Sequence, residues 1–200
     1  MNLENLEFTE LEVRYVQHAA NHYKTQALNI PVGETKESAT LALLNLIDEI
    51  NDDSFAKEKS LKPSCRKGCS HCCHIQVGTT EREVDLILDY MYKNERSFTE
   101  DELATLHEQA KYDVNDPHNY MIDKNRKCVF LKNSECSIYP VRPATCRNYF
   151  VMSDPKECDT YTLSNERVAA NFNLETIPPI IALMDLSEVG SLSQLILKNI

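Results

Sequence analysis

The 200-residue chain has only four glycines, Gly33, Gly68, Gly78 and Gly190. None opens a glycine-rich loop after an apolar strand, so no dinucleotide- or phosphate-cradling loop is visible. Positive charge is also scarce: 21 Lys and Arg stand against 31 Asp and Glu, a net charge of -10. A general nucleic-acid binder needs the opposite balance to displace phosphate counterions, so no nucleic acid is expected among the partners. Long apolar runs are missing too. No segment suits a bilayer crossing, and the opening MNLENLEFTELEVRYV lacks the basic start, apolar stretch and small-residue cleavage site of a secretory leader. These absences predict a cytoplasmic protein without a membrane partner. Internal repeats and low-complexity segments are absent. The length suits a single domain over 1–200 that buries its core without covalent staples.

What the chain does have is cysteine. Cys65, Cys69, Cys72 and Cys73 fall within nine residues, CRKGCSHCC, and Cys128, Cys136, Cys146 and Cys158 follow at wider intervals. In a reducing compartment such clusters are metal ligands or redox thiols more often than disulfides. Thiolates suit zinc, iron and iron-sulfur centres, and a tetrahedral ion asks for four ligands drawn from distant pairs. Cys69 and Cys72 have metal-knuckle spacing. Adjacent side chains diverge in regular helix or strand, so Cys72 and Cys73 are expected to serve different metals or different corners of one cluster. Eight thiolates allow two mononuclear sites or one polynuclear centre. His71 and His74 interleave with the run as substitute ligands that eight cysteines do not require. Arg142 and Arg147 are expected beside the sulfurs, where cations lower thiol pKa and donate hydrogen bonds; Arg66 adds positive charge near the first cysteines, and Lys62 and Lys67 read as solvated surface charges. His18 and His22, four apart without a third ligand, read as an exposed helix face.

The flanks read as helices. Leu11, Tyr15, Ala19 and Tyr23 predict one helix over Phe8–Lys24, and Leu41, Leu44 and Ile47 with their neighbours predict a more deeply buried one over Glu37–Phe55. Thr80–Glu83 and Thr99–Glu102 are capping boxes opening two further helices, the second ended by Asp116-Pro117. Lys127–Lys132 predicts a short strand with Asn133-Ser134 as its turn. The tail from Ile177, through Pro178-Pro179 to Leu192, Leu195 and Ile196, predicts a terminal helix. The expected fold is mainly α, a small helical domain organised around a cysteine-bound metal centre with at most a short β element. Its parts would be an N-terminal helical pair over 8–57, a metal-binding core over 62–158 and a helical tail over 160–200.

Cys65-x3-Cys69-x2-Cys72-Cys73, then Cys128, then CSIYPVRPATCR from Cys136 to Arg147, resembles the YkgJ-type cysteine-cluster family of zinc- or iron-chelating domains. The likeness spans about the middle half of the chain. It implies a metal-binding protein that chelates zinc or iron, in mononuclear sites or an iron-sulfur cluster, with all eight cysteines as candidate ligands. Some relatives bear a flagellin lysine N-methylase label, so an iron-sulfur enzyme, either an oxidoreductase or a protein-lysine N-methylase, is the alternative; a metal-stabilised interaction scaffold is the third. The first three cysteines also match the spacing of the radical S-adenosylmethionine loop, but the strand-helix alternation of that barrel is missing.

Overall fold

The computed structural model describes residues 9–29, 34–57, 63–64, 68–112, 127–152, 154–155 and 173–200. Its main elements are α1 (Glu10–Leu28), α2 (Lys36–Lys57), β1 (Gly78–Thr80), α3 (Glu81–Lys93), α4 (Glu100–Gln109), β2 (Leu131–Lys132), β3 (Glu135–Cys136), α5 (Ala144–Arg147), α6 (Ile177–Leu186), β4 (Val189–Ser191) and α7 (Leu192–Asn199). The fold is mainly α, as expected. Helix α2 lies between α1, α3 and α6, while α7 packs on α3 and α4. Leu44, Ile47, Val84, Ile87, Leu106, Phe130 and Ile196 are completely buried where these elements meet.

The capping boxes act as read. Thr80 and Thr99 accept from the N–H of Glu83 and Glu102, whose carboxyls accept from the threonine N–H in return. Free N–H groups in each first turn thereby find partners. The buried stripe of α1 is rotated from the expected one. Leu11 and Tyr15 are 78% and 72% exposed, and it is Ala20 and Ala27 that are buried, with Tyr23 packed against the core beside them. Small residues there let α1 approach α6. Asp116-Pro117 lies outside the described residues.

The tail is two helices separated by a strand. Pro178 and Pro179 fall in the first turn of α6, where a missing N–H costs no helical hydrogen bond. The chain then extends as β4 and pairs antiparallel with β1, Thr79 opposite Gly190. Both strands run straight into capped helices, since Ser191 repeats the capping box with Gln194. A Cβ at residue 190 would sit 3.2 Å from Cγ of Leu195, so glycine lets the strand lie close to the helix it feeds. The expected strand at Lys127–Lys132 shrinks to Leu131–Lys132, paired with Glu135–Cys136. Asn133 and Ser134 make the turn with φ of 49° and 63°, the left-handed pair that a two-residue hairpin requires.

Candidate metal centre

The described part of the first cysteine run begins at Gly68, whose φ of +87° favours glycine, and coils into a 3-10 turn over His71–His74. Within it the N–H of Cys73 donates to the carbonyl of Ser70 at 3.0 Å and that of Ile75 to Cys72 at 3.3 Å. Cys73 sits at ψ 19°, outside helical values, and its thiol is an electrostatic neighbour of Cys72. Nδ1 of His74 lies 3.4 Å from the carbonyl oxygen of His71. Cys65 and Cys158 lie outside the described residues, as do Lys62, Arg66 and Lys67.

The second run is fastened to the first through backbone. The N–H of Cys128 donates to the carbonyl of Cys73 at 2.8 Å, and the N–H of Ser64 to Val151 at 2.9 Å. Cys136 stands on β3 opposite Leu131. Cys146 is on α5, a single turn too short to hold itself. Its start is held by a hydrogen bond of 2.7 Å from the N–H of Ala144 to Oε1 of Glu83, and the Thr145 hydroxyl donates to the carbonyl of Gly78 at 2.7 Å. Nδ2 of the buried Asn51 donates to the carbonyl of Arg147 at 3.2 Å, at its end. Three cysteines, Cys128, Cys136 and Cys146, also pack against the hydrophobic core.

The six described cysteines, Cys69, Cys72, Cys73, Cys128, Cys136 and Cys146, are free and partly buried. Five are electrostatic neighbours. The neighbouring Cys73 thiol, then burial, push the thiol of Cys72 up. Burial pushes Cys128 up to about 11, with the charges of Cys136 and Cys72 adding to it. Burial raises Cys136, against the opposing charges of Arg142 and Arg96, and raises Cys146, with Cys72, Cys128 and Cys136 contributing. Cys72 thus senses, or is sensed by, each of the other four. These donors are soft and lose protons only against a compensating cation, which suits zinc or iron and not a hard ion such as calcium. Among the described residues, no three His, Cys, Asp or Glu side chains stand in an arrangement that could hold an ion by themselves.

The two arginines of the second run divide the work differently from the expectation. Arg142 faces the centre closely enough to lower Cys136 and Cys146, while stacking 4.0 Å over the ring of Tyr139 and donating to Oδ1 of Asp48 at 3.0 Å. Arg147 gives its donors to other groups. Nε donates to the carbonyl of Arg142 at 2.9 Å, Nη2 to Pro140 at 2.7 Å and Nη1 to Leu44 at 3.4 Å, and Nη1 also pairs with Asp48. It clamps the proline loop to α2 and serves the sulfurs only through the backbone. Arg96 carries the charge that was assigned to Arg147: it lowers Cys136 while bonding to Ser137 and Glu102. Nothing in its local sequence marks it, because its proximity is made by the hairpin folding back. His18 and His22 lie on the exposed face of α1.

No helix among the described residues is long and apolar enough to cross a membrane. No curated protein and no solved structure matches the chain. Residues 64–167 match the CxxCxxCC family, described as "Putative zinc- or iron-chelating domain". That segment begins just ahead of the first cysteine run and covers the whole second run, more than half of the chain, and it supports a metal-binding role. The chain therefore belongs to the CxxCxxCC family of cysteine-cluster domains.

Proposed function

We propose that this protein binds zinc or iron through thiolates contributed by both cysteine runs, in a centre built around Cys72, Cys73, Cys128, Cys136 and Cys146. The observation that carries the reading is the family match over both cysteine runs, supported by the backbone hydrogen bond from Cys128 to Cys73 and by the influence of the Cys72 charge on Cys128, Cys136 and Cys146. Cys69 is the ligand that the short spacing to Cys72 would add, and Cys65 and Cys158 complete the candidate set. Bound there, a thiolate-held metal supplies a cross-link between the runs and, if it is iron, electron transfer. The protein's own part is to hold soft donors partly out of water beside the cations of Arg96 and Arg142, which offset the negative charge of the thiolates.

We treat residues 1–200 as a single cytoplasmic domain whose helical flanks carry this centre. The deciding experiment is metal analysis and an absorption spectrum of protein purified without oxygen. Stoichiometric colourless zinc, or the visible bands of thiolate-bound iron, is the expected result. A folded protein with every thiol titratable and neither metal present would sink the reading.

A further inference from the structure

Glu83 looks in the sequence like an ordinary third residue of a capping box. In the structure it is 2% exposed and its two oxygens face different elements. Oε2 accepts from the N–H of Thr80 at 2.7 Å and from the hydroxyls of Thr80 and Thr79 at 2.8 and 3.1 Å. Oε1 accepts from the N–H of Ala144 at 2.7 Å. Ala144 begins the single turn that bears Cys146. Pro143 ahead of it provides no side-chain cap, so Glu83 caps this turn from a residue 61 positions away. The same carboxyl thus starts α3 and orients α5.

We infer that Glu83 is a positioning residue for the metal centre, setting the direction from which Cys146 approaches the other thiols. The inference rests on the proposed metal-binding function. A turn of four residues has too few internal hydrogen bonds to keep its axis, and Cys146 sits near its middle, so rotation of α5 would swing the sulfur. The Thr145 bond to Gly78 and the Asn51 bond to Arg147 hold the rest of the turn, and the Ala144 N–H is held by Glu83. Interactions that aim a ligand from outside its first coordination sphere are worth roughly ten- to a hundredfold in metal affinity.

The carboxamide of E83Q is the same size and still serves a capping box, but it has one oxygen for two backbone N–H groups. The three donors gathered around Oε2 favour keeping that oxygen at Thr80, which leaves Ala144 without an acceptor. E83Q and Glu83→Ala would be loaded with cobalt(II), whose thiolate charge-transfer band grows with each bound sulfur, and titrated against a chromogenic chelator. Thr80→Ala is the control: it removes the capping hydroxyl of α3 while leaving the bond from Glu83 to Ala144. We expect both Glu83 variants to lose charge-transfer intensity and about ten- to a hundredfold in affinity, and Thr80→Ala to melt earlier with the parental spectrum. Should Glu83→Ala fail to fold, E83Q against Thr80→Ala decides. A parent that binds cobalt through thiolates, alongside an E83Q variant identical in band and affinity, overturns the inference alone. A parent that takes up no cobalt, zinc or iron removes the metal-binding reading and this inference with it.

Discussion

Arg147 holds a positive charge in a side chain that is 1% exposed, against an Asp48 side chain that is 35% exposed. Replacing it with alanine would take one donor from that carboxylate, which keeps Arg142, and one from each of three carbonyls, those of Leu44, Pro140 and Arg142. Breaking a buried pair costs more than breaking an exposed one, and with Asp48 one-third open the loss should be about 2–4 kcal/mol. Lysine should not restore it, because one ammonium cannot span the several directions of a guanidinium. Urea denaturation of Arg147→Ala and Arg147→Lys checks both statements. Among the thiols, Cys146 is carried on a turn fixed at both ends, whereas Cys73 has Cys72 next to it in the chain to stand in for it. Cys146→Ser should therefore lose more metal than Cys73→Ser in competition titrations. Parity between them would mark Cys146 as a buried packing thiol.

The β2–β3 hairpin is the element most exposed to a simple test. Ser134 occupies the left-handed region at φ 63°, which costs a non-glycine residue roughly 1–2 kcal/mol. Ser134→Gly should relieve this at an entropic cost of roughly 0.5–1 kcal/mol, leaving a small net gain in melting temperature. The hairpin is tied to α4 by Glu102, which pairs with Lys132 and, at 3.2 Å, with Arg96. Burial pushes the Glu102 carboxyl up, but the Lys132 and Thr99 hydrogen bonds and the charges of Lys132 and Arg96 outweigh it and hold it below the usual 4.5. A carboxyl lowered by folding contributes stability that is full above its unfolded pKa and is lost as pH falls through the folded one. The melting gap between parent and Glu102→Gln should be present at neutral pH and close on acidification below 4.5. A gap that stays constant with pH would assign the effect to packing.

At the scale of the whole molecule, the cysteine runs are joined among the described residues by a direct backbone hydrogen bond between Cys128 and Cys73 and by packing of three cysteines on the core. A metal bridging them would close a loop of more than fifty residues, and binding free energy at such a bridge becomes folding free energy. Strong chelators should lower the melting temperature clearly. The contacts of α1 with α6 and of α2 with α3 and α6 do not pass through the cysteines, so circular dichroism should retain helix after the metal is gone. Complete extraction without any change in melting would demote the centre to a peripheral store.

Local signals were legible in the amino-acid order because their causes are local. The threonine caps of α3 and α4, the broad apolar face of α2 and the hairpin turn at Asn133-Ser134 each depend on residues within a few positions of one another. The cysteine spacings likewise marked a metal-binding family without reference to the fold. The stripe of α1 was legible only in part, since which side faces inward depends on α6, and Leu11 and Tyr15 meet the same helical period as the residues that are buried. The strand between α6 and α7 could not be read from three residues, Val189–Ser191, whose partner is β1 more than a hundred positions earlier. Only tertiary structure could turn Glu83 toward Ala144, Arg147 away from sulfur and Arg96 toward Cys136. Hydrogen bonds and charges act over a few ångströms of space, and the chain order does not say which distant residues will share it.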